Sequence, residues 1–418
     1  MTVTPASTES PTHPGSIVIV GAGHGGANVA ALLRQRGFAG SVTLIGDEPG
    51  SPYQRPPLSK DYLKGAMADV DLLIKPEDFY DTQHVTTRWG TRVAGLDVAS
   101  RRVLLGSGEA VPYDALVLAT GAAPRTLPAP GADLPGVHYL RTHADARRLG
   151  TALVPGKRLV IIGGGYVGLE VAASARHLGC EAVVLEREER ALARVASVQL
   201  SDFLTARHAE QGTSVITGAD VVSLRAGPDG SVGSVLLADG SEIACDVVLV
   251  GVGAVPRTEL AVAAGLACEQ GVCVDDRGRT SVAGVYAVGD ATRRPLHHFA
   301  GAHRLESIPS AVEQAKQVAC DLLGLPAPQQ EVPWFWSDQY DLRIKIAGMI
   351  GTATHSVVRG GDDRRLVVFH VDGDRVVAAE TVSSVPDFMI AKKLIASGAS
   401  VCLERLADPS VPLKELAA

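Results

Sequence analysis

The chain has 418 residues, more than the roughly 250 to 300 residues at which a single hydrophobic core stops growing, so we expect two or three domains. Hydrophobic residues make up 46% and charged residues 20%, which is typical of a folded globular protein and argues against disorder. The 39 Lys and Arg residues against 46 Asp and Glu give a net charge of -7, so a broad surface for binding nucleic acid is not expected.

The N-terminal segment, residues 1–14, is rich in Thr, Ser and Pro and lacks the apolar core of a secretory signal. We interpret it as a flexible tail on a cytoplasmic protein. The uncharged stretch from Pro14 to Leu33 has about the length of a membrane span, but its glycines favour a short strand, a tight turn and a helix start. No membrane association is expected.

A pattern of strand, glycine turn, helix, glycine stop and strand occurs twice, in residues 16–47 and 158–186. The apolar runs that open each copy are short and β-branched, as buried parallel strands are. The elements predicted in the first copy are a strand at 17–20, a helix at 25–35 ending before Gly37, and a strand at 42–45. Those in the second copy are a strand at 159–162, a helix at 167–178 ending at Gly179, and a strand at 182–185.

A second similarity lies downstream of each copy, at residues 113–127 and 245–260, where a buried strand ends in glycine and is followed by Pro and Arg. From Trp334 onward the pattern changes to alternating strands at 343–347, 366–371 and 375–381 and a helix near 387–397. We therefore predict two dinucleotide-binding modules followed by a smaller α+β domain. Prolines at 326, 328 and 333 mark the join.

The glycine turns predict two pyrophosphate sites. In each, the first glycine makes the turn, the second lets backbone approach the pyrophosphate, and the third lets the helix pack on the strand. Two such turns in matching contexts are a far stronger signal than one. The candidates are Gly21, Gly23 and Gly26 with Gly25 in the first turn, and Gly163, Gly165 and Gly168 with Val167 in the second.

Acids after the second strand of each copy are candidates for binding an adenosine ribose. Glu186 closes the second copy, where its carboxylate can accept both ribose hydroxyls and would repel a 2′-phosphate, which favours NADH over NADPH. Arg187 beside it weakens that preference. In the first copy Gly46 stands at this place and is followed by Asp47 and Glu48; we choose Asp47 as the ribose ligand, with a solvated turn acid as the alternative.

Further motifs make the chain resemble the ferredoxin reductase family of FAD enzymes over nearly its whole length. They are 55–60 (RPPLSK), 119–121 (ATG), 163–170 (GGGYVGLE), 285–290 (VYAVGD), 304–309 (RLESIP) and 333–339 (PWFWSDQ). The resemblance implies an α/β protein with two Rossmann-type domains of the glutathione-reductase-like fold plus a C-terminal α+β domain. The expected division is 15–125 and 254–330 for FAD, 126–253 for NADH, and 331–418 for the last domain.

The same resemblance assigns site residues. It implies that Asp290, beside Gly289, holds the ribityl chain of FAD, and that Tyr166 covers the flavin ring where nicotinamide stacks. It places Lys60 and Glu170 together as an ion pair beside the flavin. Core packing is an alternative for Val93 and Ile308, a seam between domains for Tyr166, and a solvated helix face for Glu170. The other residues that match flavin-lining positions or motifs are Arg55, Val93, Ala119, Thr120, Gly121, Arg125, Glu306, Ile308 and Trp336.

Cysteines are absent where related enzymes need them. Disulfide reductases of this fold carry a cysteine pair on the first helix, and related NADH oxidases and peroxidases carry one in the loop that corresponds to residues 53–60. Neither segment contains sulfur here, which excludes a thiol relay. No metal site is expected.

The resemblance implies that NADH gives a hydride to flavin N5 and that the flavin then passes single electrons to a two-iron two-sulfur ferredoxin of an oxygenase system. Two alternatives stay open: an NADH oxidase or flavin reductase without a protein partner, and a redox-controlled binding flavoprotein of the apoptosis-inducing-factor type. We expect a monomer or weak homodimer. Candidates for docking an acidic ferredoxin are Arg293, Arg294, Arg304 and Lys345.

Overall fold

The computed structural model describes residues 14–416, so the predicted tail at 1–14 lies outside the described residues except for Pro14. The chain forms two compact units. The first contains residues 14–53, Leu73–Ala122 and Pro256–Gln330, and the second contains Gln54–Leu72, Ala123–Val255 and residues 331–416. The three-domain division expected from the sequence stays a prediction.

The described residues contain nine α-helices and 26 strands. The helices are α1 (His24–Gln35), α2 (Phe79–Thr82), α3 (His143–Ala152), α4 (Tyr166–His177), α5 (Val198–Glu210), α6 (Glu259–Ala263), α7 (Ile308–Leu322), α8 (Val385–Ser397) and α9 (Leu403–Ala407). The strands are β1 (Ser16–Val20), β2 (Ser41–Ile45), β3 (Val85–Arg88), β4 (Val93–Asp97), β5 (Arg102–Leu105), β6 (Ala110–Pro112), β7 (Ala115–Leu118), β8 (Ala122–Pro124), β9 (Val137–His138), β10 (Arg158–Ile162), β11 (Glu181–Leu185), β12 (Thr213–Ile216), β13 (Val221–Ala226), β14 (Val232–Leu237), β15 (Glu242–Ala244), β16 (Val247–Val250), β17 (Ala254–Pro256), β18 (Val272–Cys273), β19 (Val285–Ala287), β20 (Thr292–Leu296), β21 (Phe299–His303), β22 (Trp334–Gln339), β23 (Leu342–Gly348), β24 (His355–Gly361), β25 (Leu366–Asp372) and β26 (Arg375–Val382).

The first unit is built on a parallel sheet of order β3-β2-β1-β7-β19. Ile17 and Ile19 of β1 point to one face, where they pack in a buried cluster with α1 and α7. Val18 and Val20 point to the other face and pack with the antiparallel sheet β4-β5-β6. Because side chains alternate across a strand, a sheet covered on both faces needs the continuous apolar run that the sequence shows.

The second unit repeats this plan with a parallel sheet of order β12-β11-β10-β16-β9. Leu159 and Ile161 of β10 pack with α4 and α5, whereas Val160 and Ile162 pack with the sheet β13-β14-β15. The strand and helix expectations for both copies are therefore confirmed, with boundaries shifted by one residue or none.

The C-terminal part of the second unit is an antiparallel sheet of order β22-β23-β26-β25-β24 with α8 packed against it. Its strands β23, β25 and β26 and helix α8 confirm the elements predicted there. Residues of β23, including Leu342 and Ile344, belong to the same buried cluster as α4 and α5. The predicted α/β fold class with a C-terminal α+β portion is confirmed.

Between residues 14 and 416, every helix is too short or too polar to cross a lipid bilayer.

Candidate dinucleotide and charge-pair sites

The first glycine turn joins β1 to α1 within the first unit. Gly21 has φ +111°, and a Cβ added there would lie 2.1 Å from the carbonyl oxygen of Ala119. A Cβ on Gly26 would lie 1.9 Å from the carbonyl oxygen of Gly21, so the helix sits directly on the turn. A Cβ on Gly23 would meet no atom within 4 Å. The geometry matches the turn and packing roles predicted for the first and third glycines, and open space lies beside the second, whose role towards a pyrophosphate stays a prediction.

The second turn, between β10 and α4, has the same geometry in the second unit. Gly163 has φ +109° and would bring a Cβ to 2.4 Å from the carbonyl oxygen of Gly251, and Gly168 would bring one to 2.4 Å from that of Gly163. Gly165 again opens onto free space. Two turns with the same local geometry therefore stand at the start of two equivalent helices.

The N-termini of α1 and α4 fit an anionic ligand. Among the described residues no side chain caps either helix by a hydrogen bond, and neither first turn contains an acid. The first amide groups of a helix lack partners within the helix, and the helix dipole favours negative charge there. Both ends are thus able to take the pyrophosphate of a dinucleotide without rearrangement.

Glu186 is held in place at the end of β11. Its Oε2 accepts a hydrogen bond from the backbone N–H of Gly164 at 2.8 Å, and its Oε1 accepts one from that of Glu188 at 2.9 Å. Arg187 next to it is exposed and pairs with Glu188 at 3.2 Å. Each carboxylate oxygen keeps a further lone pair, so the side chain can accept two hydroxyl groups.

The acids of the first copy are arranged differently. Asp47 is exposed and forms an ion pair with Arg257, with 3.0 Å between Oδ2 and Nη1. Glu48 is half-buried and accepts a short hydrogen bond from the hydroxyl of Tyr53. The choice of Asp47 as the ribose ligand stays a prediction.

Three strands of the first unit, β1, β7 and β19, end side by side near the first turn. Ala119 to Gly121 follow β7, where the hydroxyl of Thr120 donates to the carbonyl of Arg257 at 2.7 Å. Gly289 and Asp290 follow β19 in a short 3-10 helix, Gly289–Ala291. A Cβ on Gly25 would lie 2.9 Å from Val288, which places the start of α1 against the end of β19. Ligands of open α/β sheets bind at such strand ends.

Sequence reasoning missed a buried polar group that supports this edge. The Oε1 atom of Gln314, on α7, accepts hydrogen bonds from the backbone N–H of Gly289 at 3.1 Å and from the hydroxyl of Thr292 at 2.7 Å. The Nε2 atom of Gln314 donates to Ser310 at 3.1 Å. The side chain is 2% exposed. A polar residue on the apolar face of a helix was the available signal.

Lys60 and Glu170 form the expected ion pair in the second unit, with 2.8 Å between Nζ and Oε1. Glu170 is 4% exposed, so the alternative of a solvated helix acid is wrong. The hydroxyls of Ser59 and Ser337 donate to its Oε2 and Oε1 at 2.5 and 2.6 Å. A buried carboxylate needs such compensation, because burial without partners is costly for a charge. Sequence reasoning did not find the two serines.

Comparison with known proteins agrees with this architecture. A family model described as pyridine nucleotide-disulphide oxidoreductase matches residues 15–315, and a second, described as reductase C-terminal, matches residues 334–417. The chain belongs to the pyridine nucleotide-disulphide oxidoreductase family. It is an FAD-dependent oxidoreductase that uses a pyridine nucleotide.

Individual relatives are similar from end to end. The chain is 45% identical to the probable ferredoxin reductase CtmF of Castellaniella defragrans over 96% of its length and 98% of the relative. It is 41% identical to the rhodocoxin reductase of Rhodococcus erythropolis over 96% of its length and 93% of the relative. Putidaredoxin reductase in its covalent complex with putidaredoxin matches with a TM-score of 0.94 at 38% identity, over 96% of this chain and 97% of that one. The resemblance to ferredoxin reductases is confirmed.

Tyr166 opens α4 in this oxidoreductase. Its ring packs edge-on against Phe335 with 5.0 Å between centroids, and the residue as a whole is partly exposed. Its hydroxyl is buried and has no hydrogen-bond partner among the described residues. Burial, and secondarily the charge of Glu380, raise the pKa of Tyr166 well above its ordinary value. The residue is therefore a neutral aromatic surface, and its role against nicotinamide stays a prediction.

The remaining predicted flavin residues are distributed over both units. Val93, Glu306 and Ile308 belong to the first unit, where Val93 packs against the core, Glu306 is exposed and Ile308 begins α7. Arg55, Arg125 and Trp336 belong to the second. In that unit Arg55 donates to the carbonyl of Arg141 at 2.7 Å, Arg125 is exposed, and Trp336 packs against Trp334 with 5.8 Å between ring centroids. Their contacts with FAD stay predictions.

One docking candidate is wrong. Arg294 is 2% exposed and pairs with the buried Glu313 at 2.7 Å, so it cannot meet a partner protein. Arg293 and Arg304 are partly exposed and each pairs with a nearby Glu, and the Lys345 ammonium lies 5.3 Å from the centroid of a phenylalanine ring. Alternation along β20 turns neighbouring side chains to opposite faces, which is why only one of the adjacent arginines reaches solvent.

Proposed function

We propose that this protein is an NADH-dependent ferredoxin reductase, which takes electrons from NADH and passes them singly to a two-iron two-sulfur ferredoxin that supplies an oxygenase. The observation that carries the proposal is the end-to-end similarity to ferredoxin reductases, which includes the C-terminal residues 334–417 as well as the nucleotide-binding part. FAD, when bound, supplies the exchange between a two-electron donor and a one-electron acceptor.

The residues of the chain divide the binding work between the two units. In the first unit the N-terminus of α1 would hold the pyrophosphate of FAD, and Asp290 at the end of β19 would accept hydroxyl groups of its ribityl chain. In the second unit the N-terminus of α4 would hold the pyrophosphate of NADH, and Glu186 would accept its adenosine ribose hydroxyls. The Lys60–Glu170 pair supplies a fixed, buried pair of opposite charges. We assign it the role of tuning charge during electron transfer.

The chain has no cysteine at the positions where related enzymes carry the cysteines of a thiol relay. Neither α1 nor the segment 53–60 contains a cysteine, and the six cysteines of the chain are free thiols located elsewhere. Electrons therefore leave the protein by direct transfer to an acceptor. The acceptor is either the ferredoxin that we propose or, in the competing reading, molecular oxygen.

The test is NADH-driven reduction of cytochrome c in the presence and absence of a two-iron two-sulfur ferredoxin. We expect fast reduction only when the ferredoxin is added, with slow oxygen consumption in its absence. Equal rates with and without ferredoxin, together with rapid oxygen uptake, would refute the proposal in favour of an oxidase. A single-iron rubredoxin serves as the control acceptor, and a preference for it would overturn the assigned iron-sulfur type.

Docking of an acidic ferredoxin should depend on local charge, because the whole chain is acidic, with a net charge of -7. Electrostatic steering would make the association rate fall steeply with ionic strength, since screening acts over about 10 Å at 0.1 M salt. We expect Arg293→Glu to slow ferredoxin reduction while leaving flavin reduction by NADH unchanged. Arg225→Glu, at an exposed arginine of the other unit that also pairs with a Glu, is the matched charge-reversal control for ferredoxin reduction. Equal slowing by both variants would reject Arg293 as a docking residue.

A further inference from the structure

A continuous chain of buried hydrogen bonds runs from Glu170 into the second unit. Ser337 donates to Glu170 at 2.6 Å, Gln339 Nε2 lies 3.2 Å from Ser337 Oγ, and Gln339 Oε1 lies 2.9 Å from His208 Nε2. His208 Nδ1 lies 3.3 Å from the hydroxyl of Tyr340, which is 3.0 Å from the hydroxyl of Thr213. Ser337, Gln339 and His208 are each 1% exposed or less.

Counting protons fixes the direction of every bond. The carboxylate of Glu170, paired with Lys60, only accepts hydrogen bonds, so Ser337 donates its one hydroxyl proton to it. Ser337 must then accept from the amide nitrogen of Gln339, which sets the orientation of that amide. The amide oxygen of Gln339 therefore accepts from Nε2–H of His208. This leaves Nδ1 of His208 as an acceptor, so Tyr340 donates to it. All donors along the chain point toward Glu170.

His208 and Tyr340 lie at the end of this chain away from Glu170. Burial lowers the pKa of His208 below its ordinary value, which favours the neutral ring. Tyr340 has φ +54°, an uncommon conformation for a residue with a side chain, in the turn between β22 and β23. Its ring packs edge-on against His208 with 5.0 Å between centroids.

We propose that Ser337, Gln339 and His208 are positioning residues, which hold the carboxylate of Glu170 in the orientation that it has in its pair with Lys60. The inference rests on the function proposed for that pair and names the residues that sustain it. An amide cannot pass a proton along the chain without changing its tautomer, so the chain orients dipoles and does not conduct protons. Its effect is to fix where the two carboxylate oxygens of Glu170 lie relative to the ammonium group of Lys60.

The first experiment reads the His208 ring in the whole FAD-loaded protein by ¹⁵N NMR with labelled histidine, assigned by the signal lost in His208→Gln. We expect the Nε2–H tautomer and a protonation midpoint below that of an ordinary histidine. Gln339→Met should relax the tautomer preference, because the acceptor for Nε2–H is lost. An Nδ1–H tautomer, or titration near the ordinary histidine pKa, would overturn the proposal.

The second experiment measures hydride transfer from NADH by stopped flow at pH 7. We expect Ser337→Ala and Gln339→Glu to slow this step about tenfold and to leave the Kd of NADH unchanged, because the carboxylate of Glu170 loses a hydrogen bond that orients it toward Lys60. Gln339→Glu acts by drawing the Ser337 hydroxyl away from Glu170. Thr213→Val is the matched control, since it cuts the chain beyond His208, and should behave as the wild type.

Flavin content verifies that each variant folds, and Ser337→Cys, whose thiol is only a weak donor, replaces Ser337→Ala if the latter loses flavin. Wild-type rates in all variants would overturn the positioning role even with the expected His208 tautomer. If NADH fails to reduce the wild-type flavin, the proposed function fails. The ring signals of His208, which need no turnover, still decide the direction of the chain.

Discussion

Replacing Glu186 tests the nicotinamide half of the proposed function most directly. The carboxylate has about four lone-pair positions, and the backbone N–H groups of Gly164 and Glu188 occupy one on each oxygen. Two positions remain, one on each oxygen, which is the number that the two hydroxyls of a ribose require. The side chain is fixed before the ligand arrives, so little ordering entropy is lost on binding.

The expected magnitude follows from those contacts. A hydrogen bond to a charged group contributes about 1.5 to 3 kcal/mol, so Glu186→Ala should weaken NADH by roughly 10- to 150-fold. The same change removes the negative charge that opposes a 2′-phosphate. We therefore expect kcat/KM for NADPH to rise or stay constant while that for NADH falls. Glu186→Gln should do the same to a smaller extent, because its amide oxygen still accepts one hydroxyl.

Steady-state reduction of ferricyanide with each nucleotide measures kcat/KM for NADH and for NADPH in one preparation. Glu189→Ala is the matched control, because Glu189 is an exposed acid three residues away, and it should leave the ratio of the two values unchanged. FAD absorbance checks that the first unit is intact. Unchanged kinetics for both nucleotides in Glu186→Ala would refute the assignment of Glu186 to the ribose.

Three further outcomes are expected. Gln314→Leu should weaken FAD binding about tenfold, because the N–H of Gly289 loses its acceptor. The fluorescence of released flavin measures this change, and Gln314→Glu should retain FAD better. Arg294→Met should destabilise the protein by about 3 to 5 kcal/mol in urea unfolding, because it removes the cation paired with buried Glu313; a loss below about 1 kcal/mol would contradict this. The pKa of His208 is lowered in the folded state, so the unfolded state takes up a proton more readily. The free energy of unfolding should therefore fall by about 1.4 kcal/mol per pH unit below about pH 6.5. Its excess over the free energy of unfolding of His208→Gln should shrink from pH 7 to pH 5.

The parallel sheets and their helices could be predicted because their signals are local. Short β-branched runs and glycine turns recur at matching spacing, and the structure starts β1 and β10 within one residue of the expected positions. The packing role of Gly26 and Gly168 could be predicted for the same reason, since it depends on backbone geometry close in sequence, whereas the pyrophosphate role of Gly23 and Gly165 stays a prediction. The sequence alone could not predict which residues far apart along the chain form hydrogen bonds or ion pairs with one another.

Buried polar residues show this limit. Gln314 is separated by 25 residues from Gly289 and His208 by 131 from Gln339, and no local pattern connects them. Arg294 was expected at the surface because arginine usually is, whereas a buried acid on α7 compensates its charge. The Lys60–Glu170 pair was found only through resemblance to a family, since 110 residues separate its members.

Comparison of the two copies of the dinucleotide module shows why the first copy has no acid at the position equivalent to Glu186. In the second copy a Cβ on Gly164 would lie 3.0 Å from Oε2 of Glu186, so the absence of a side chain in the turn makes room for the acid. In the first copy the arrangement is reversed: the turn carries Ala22, and a Cβ on Gly46 would lie 2.7 Å from the Ala22 Cβ. In each copy, one of the two residues at this contact has a side chain and the other is a glycine. An acid at position 46 would collide with the turn, so we expect any carboxylate that binds a ribose in the first module to lie further along the chain, as the prediction of Asp47 does.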